Sequence, residues 1–246
     1  KRRRAGERAE VRGKTKGGTL WERHGSQFSS GSLRVAADEA VADVAGRDKV
    51  VDVVLYSVNK VDAEAASRES VLALYPNAVR VSVFSPAAVD DVWSELCAAR
   101  CQRLWWLRIE GVRIDARFDT VVKQHWQRFR TLEFWYCSFD DAGIEAVAYF
   151  ENVVELKIEA ANTKLTDAQV MTLVSKLRKL DRLNLQESLT DDVTVATFAA
   201  MGSLPHLENV VLSENSACVT GAARTALAAA AAQRGTNHAR RLVILD

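Results

Sequence analysis

Cys97 and Cys101 come nearest to a reactive or metal-binding constellation. Residues four apart share one helix face, and two thiolates there would supply half of a tetrahedral site. No histidine or second cysteine pair stands close in sequence to complete the ligands, so both read as buried structural residues. His24, His125, His206 and His238 are scattered, and the middle two fall in or near helical stretches as surface or packing residues. The chain has no Gly-rich phosphate loop, no nucleophile elbow and no paired-histidine motif. The expectation is a protein that is not an enzyme and needs no metal or cofactor.

A second chemistry lies in residues 1–32, KRRRAGERAEVRGKTKGGTLWERHGSQFSSGS. Up to Arg23 this segment holds nine Lys and Arg against three Glu, a net of +6, so a formal total of +1 leaves about −5 on the remainder. Glycine, serine and charge with few aliphatics cannot build a core, which predicts a flexible basic arm. Lys1, Arg2, Arg3, Arg4, Arg8, Arg12, Lys14 and Lys16 are spaced to follow an extended phosphate backbone, with no aromatic among them to stack on a base. They are the candidate RNA-binding residues, and binding through them is expected to be salt-sensitive and indifferent to sequence.

The elements that must position these groups show a recurring pattern. Apolar residues sit at unit positions 1, 4 and 6: Val51, Val54 and Tyr56; Ala78, Val81 and Val83; Leu104, Leu107 and Ile109; Phe129, Leu132 and Phe134; Val153, Leu156 and Ile158; Leu180, Leu183 and Leu185; Leu207, Val210 and Leu212. A half-unit, Leu242 and Ile244, ends the sequence. Unit starts at 51, 78, 104, 129, 153, 180, 207 and about 239 lie 27, 26, 25, 24, 27, 27 and 32 residues apart. Each unit is read as a short parallel strand, a turn and a return helix that bury their apolar sides by stacking on neighbours. Position 9, with Asn59, Cys137 and Asn215, is expected to satisfy backbone groups in the turn.

Helix start signals fall between the strands. Ser85 precedes Pro86, Asp140 precedes DAGIEAVAYF, Thr166 and Gln169 make a capping box, and Thr190 precedes DDVTVATFAAM. TGAARTALAAAAAQRG reads as a small-residue helix stopped by Gly235. Residues 33–49 read as an amphipathic capping helix, so the division is arm 1–32, cap 33–49 and repeats 50–246, about eight units.

The repeat L-x-x-L-x-L-x-x-(N/C)-x-L resembles that of ribonuclease-inhibitor-like, or cysteine-containing, leucine-rich repeats, over roughly residues 50–246. Members of that group include F-box partners and mitochondrial assembly proteins. The resemblance implies an α/β solenoid with a parallel sheet on the concave face and helices outside; it specifies architecture far more than function.

In that register the concave strand surface carries positions 3, 5 and 7. Phe84, Trp106, Arg108, Glu133, Trp135, Tyr136 and Lys157 are its candidate protein-binding residues, because large aromatics at a surface are typical interface anchors. Arg108, Glu133 and Lys157 alternate in sign across neighbouring strands, which also admits a self-satisfied charge ladder.

With 48% hydrophobic residues, 246 residues suit one elongated domain. Four cysteines lack disulfide-framework density and favour a reducing compartment. No apolar run approaches the ~20 residues of a membrane span. The first residue is Lys1, so processing or trimming is expected; the Arg-rich start gives a mitochondrial lean, although Glu7, Glu10 and Glu22 argue against an intact transit peptide. Two functions follow. One is a structural subunit of a large ribonucleoprotein, a mitochondrial ribosome for preference, held by its arm on RNA and its repeats on protein neighbours. The other is a mitochondrial or cytosolic leucine-rich adaptor or assembly factor that acts through protein binding only.

Overall fold

Alternation of buried and more exposed residues along Arg80–Phe84, Trp106–Glu110, Glu155–Glu159, Arg182–Asn184 and Asn209–Val211 sets the architecture, while in Thr131–Trp135 even Thr131 and Glu133 are buried. Val81, Val83, Leu107, Ile109, Leu132, Phe134, Leu156 and Ile158, at positions 4 and 6 of their units, are all buried. The computed structural model describes residues 32–36, 52–56, 78–84, 103–125, 127–234 and 243–245. Nine strands form one sheet in sequence order: β1 (Ser32–Ala36), β2 (Asp52–Tyr56), β3 (Arg80–Phe84), β4 (Trp106–Glu110), β6 (Thr131–Trp135), β8 (Glu155–Glu159), β9 (Arg182–Asn184), β10 (Asn209–Val211) and β11 (Val243–Leu245). Every neighbouring pair is parallel. The two-residue strands β5 (Arg113–Ile114) and β7 (Ser138–Phe139) pair in a second small parallel sheet.

Parallel neighbours need a crossover, and helices α1 (Phe118–His125), α2 (Asp141–Ala148), α3 (Asp167–Lys176), α4 (Val195–Gly202) and α5 (Gly221–Ala232) supply it from β4 onward. Asp140 accepts a hydrogen bond from the Gly143 amide at 2.8 Å, and Thr166 with Gln169 forms the reciprocal capping box. For α4 the expected cap, Thr190, is displaced by Thr194, whose hydroxyl accepts from Thr197 N at 3.4 Å. Thr190 instead donates its hydroxyl to the Leu165 carbonyl at 2.9 Å, and its N–H reaches the same oxygen at 3.0 Å, so it ties this unit to the one before it. Helix α5 is capped by Thr220 and ends at Ala232 with Gln233 as C-cap; Gly235 lies outside the described residues.

Strand and helix faces meet in one continuous core running from Ala78 to Leu227. Its centre is aromatic: Phe118 packs against Phe134 at 5.9 Å and Phe150 at 5.6 Å between ring centroids, and Phe129 meets Phe150 at 5.4 Å. Helix α2 approaches the end of β5 closely enough that a Cβ on Gly143 would lie 2.1 Å from the Ile114 carbonyl oxygen.

The turn after each strand repeats its backbone geometry. Position 8 is left-handed in four successive units, at Gly111 (φ 70°), Tyr136 (51°), Ala160 (48°) and Glu187 (55°). In the first three of these, the position-8 N–H donates to the position-7 carbonyl of the next unit: Gly111 to Trp135 at 2.9 Å, Tyr136 to Glu159 at 3.1 Å and Ala160 to Gln186 at 2.9 Å. These bonds hold a conformation that L-residues otherwise avoid. At position 9 the single S–H of the buried Cys137 has two carbonyl acceptors in reach, Ile109 O at 3.5 Å and Trp135 O at 3.4 Å. Two units on, Ser188 repeats that pattern with Ile158 O at 2.7 Å and Gln186 O at 3.0 Å, and it accepts from Ala161 N at 3.2 Å. Burial pushes the Cys137 thiol up to about 11, consistent with a structural and unreactive group.

Four expectations change. Residues 33–36 lie in strand β1, where a capping helix over 33–49 was expected; residues 37–49 are outside the described set. The reason is the edge of β2: Leu33 and Val35 pair with Val53 and Leu55, and a strand there covers backbone groups that β2 would leave open. The first unit is shifted by one residue, because Val53 and Leu55 pair with Val81 and Val83 and Val54 pairs with Ser82. In the last unit Ile244 pairs with Val210, which moves its start two residues on. Asn215, expected to work in the turn, is exposed, and the nearby Cys218 is buried instead. Of the remaining position-9 and cysteine expectations, Asn59, Cys97 and Cys101 lie outside the described residues.

Candidate functional site: the open face of the sheet

In-register pairing brings the expected surface residues onto one face of adjacent strands. Position 3 aligns Arg80, Trp106, Thr131, Glu155 and Arg182; position 5 aligns Ser82, Arg108, Glu133, Lys157 and Asn184; position 7 aligns Phe84, Glu110, Trp135 and Glu159. The side chains between them point into the core, so these rows form the face that the helices leave uncovered.

Two clusters organise this face. Around Glu133, which is only 7% exposed, Trp106 Nε1 donates to Oε1 at 3.3 Å and Lys157 Nζ to the same oxygen at 2.9 Å. Lys157 also reaches Glu155 at 3.2 Å. Burial alone would lower the Lys157 pKa, but the hydrogen bond and charge of Glu133, with help from Glu155, outweigh it and the ammonium is held above its usual range. The second cluster centres on Arg108. Its guanidinium carbon sits 4.3 Å from the Trp135 ring centroid and 5.3 Å from that of Phe84, while Nη2 binds Glu110 at 3.0 Å. The charges therefore pair as Glu133 with Lys157 and Arg108 with Glu110, so the ladder runs partly along a strand instead of wholly across strands.

The second cluster is incompletely satisfied. Arg108 Nε and Trp135 Nε1 are both buried N–H donors without an acceptor. Glu159, directly across from Trp135, accepts from Asn184 Nδ2 at 2.5 Å, and burial raises its carboxyl pKa despite the charge of Lys157.

Tyr136 stands apart from these rows. It is 49% exposed at the left-handed turn position after β6, and its carbonyl accepts from Asn162 Nδ2. Trp105, 41% exposed at the start of β4, was not singled out from the sequence, although the Trp105–Trp106 doublet marks the strand entrance. The candidate RNA-binding residues Lys1 to Lys16 lie outside the described residues. Among the described residues, no group of three or more His, Cys, Asp or Glu is placed to hold a metal ion, and no helix is long and apolar enough to cross a membrane.

No protein-family model matches the chain, and no curated protein matches it. Among solved structures, an internalin from Listeria monocytogenes is similar with a TM-score of 0.41 at 12% identity, over 68% of this chain and 49% of the other. The chain thus spans about half the length of that internalin chain.

Proposed function

We propose that this chain is a leucine-rich repeat solenoid that acts without catalysis, by binding other proteins on the open, concave face of its sheet. The in-order parallel strands, the buried positions 4 and 6 and the recurring left-handed position 8 support the repeat reading. The observation that carries the binding role is the row of large aromatic and charged side chains on that face, with two buried donors at its centre unpaired. A photo-crosslinking residue at Ser82, on the open face, is expected to capture protein partners in cells, and one at Ser175, on the exposed side of α3, is not. Crosslinks from Ser175 alone would reject the open face as the binding surface.

The +6 charge of residues 1–23 favours a second contact, with RNA phosphates, and with it a place in a large ribonucleoprotein such as a mitochondrial ribosome. The protein is expected to bind ribosomal or other structured RNA with an affinity that falls steeply with salt. Changing Arg2, Arg3, Arg4, Arg8 and Arg12 to Gln should flatten that dependence. An unchanged salt slope would leave the protein-binding role alone.

A further inference from the structure

Arg108 occupies a position that has the chemistry of a receptor for a cation. In position 7 the order across the sheet is Phe84, Glu110, Trp135, Glu159, each paired directly with the next. Adjacent strands lie about 4.8 Å apart, so a tryptophan face is flanked on both sides by carboxylates at one strand spacing. An indole with carboxylates beside it attracts ammonium or guanidinium groups by its quadrupole and by their charge. Over β3 to β9 the open rows hold four carboxylates and four cations, but the cations Arg80, Arg108, Lys157 and Arg182 all lie in positions 3 and 5, and the only charged groups in position 7 are the carboxylates Glu110 and Glu159.

The present occupant fits imperfectly. By lying on Trp135, Arg108 leaves its own Nε and the indole Nε1 buried without acceptors, although its Nη2 is bound by Glu110. A well-satisfied structural arginine would leave neither donor orphaned. Its side chain keeps 27% exposure and Glu110 keeps 28%, so the arginine can swing outward to solvent without crossing the core.

We propose that Phe84, Glu110, Trp135 and Glu159 form a receptor for an arginine or lysine side chain carried by an extended segment of a partner protein, with Arg108 as its displaceable internal stand-in. This rests on the protein-binding reading above and adds the partner's chemistry. Once Arg108 swings into solvent its Nε is hydrated, and an extended segment brings backbone carbonyls that can accept from the Trp135 indole N–H.

The test uses ¹⁵N-labelled full-length protein and three synthetic heptapeptides of Gly and Ser with Arg, Lys or Glu at the centre. The readout is the Trp135 indole N–H resonance, assigned by its loss in Trp135→Phe. The Arg and Lys peptides should shift it saturably and the Glu peptide should not. Arg108→Ala and the length-matched Arg108→Met should bind the Arg peptide about 3–10-fold more tightly, because the competitor is gone, and Glu159→Gln should weaken it by a similar factor. Weaker binding in both Arg108 variants, preference for the Glu peptide, or no shift with any peptide would overturn the proposal. Binding that emerges only when Arg2, Arg3, Arg4, Arg8 and Arg12 are changed to Gln would assign the receptor to the chain's own arm and overturn an external partner. If Ser82 crosslinks proteins while the Glu peptide is preferred, the binding face stands and only its cation chemistry fails.

Discussion

Replacing Ser188 by alanine tests whether position 9 ties one unit to the one before it. The residue is fully buried, and its hydroxyl donates to Ile158 O at 2.7 Å while accepting from Ala161 N at 3.2 Å. Alanine leaves one buried acceptor and one buried donor without these partners. Each such loss costs about 1–3 kcal/mol, so Ser188→Ala should cost about 2–6 kcal/mol in total. Ser188→Cys keeps a donor where Cys137 shows that a thiol can serve, and should cost no more than about 1 kcal/mol. Asn215, which matches the repeat consensus but is exposed, should tolerate alanine within about 0.5 kcal/mol. Urea unfolding, read from midpoint and slope, measures all three. A loss below about 0.5 kcal/mol for Ser188→Ala, or an equal loss for Asn215→Ala, would refute the argument that hydrogen bonding and not consensus identity matters here.

The backbone and the helix ends supply two more expectations. Gly111→Ala places a Cβ at φ 70° and should cost about 1–2 kcal/mol, and Gly143→Ala should cost more because its Cβ meets the Ile114 carbonyl at 2.1 Å; equal urea midpoints for the two would contradict this ranking. Asp167 accepts from the Thr197 hydroxyl and, at 2.8 Å, from Thr194 N, bonds that hold its carboxyl below the usual range. A depressed native pKa gives stability that is present above the unfolded value, near 4, and is lost as pH falls through the native one. Wild type should therefore lose its advantage over Asp167→Asn between about pH 5 and pH 2, and a constant difference across that range would remove the linkage.

By itself the sequence determined the unit spacing and the inward rows from Ala78 to Leu212, because in those units the aliphatic and Phe side chains recur at one parity and that parity is the one driven into the core. It also determined the open-face rows containing Phe84, Trp106, Arg108, Glu133, Trp135 and Lys157, since they are the complement of the core rows. Tertiary structure decided the first strand. Val50 to Tyr56 is apolar at both parities except for Asp52, so local pattern cannot choose, and pairing with Val81 and Val83 does. The same cause turned residues 33–36 from an expected helix into β1: an open sheet edge offers hydrogen bonds that intrinsic preference does not anticipate. Nor do residue types announce that Tyr136, Ala160 and Glu187 adopt φ near 50°, which follows from hydrogen bonds to a neighbouring unit in at least the first two. The pairing of Arg108 with Glu110 and Trp135 belongs to that second class as well. Sequence supplied the charges and rings, but which carboxylate an arginine reaches depends on side-chain distances set only when three strands lie side by side.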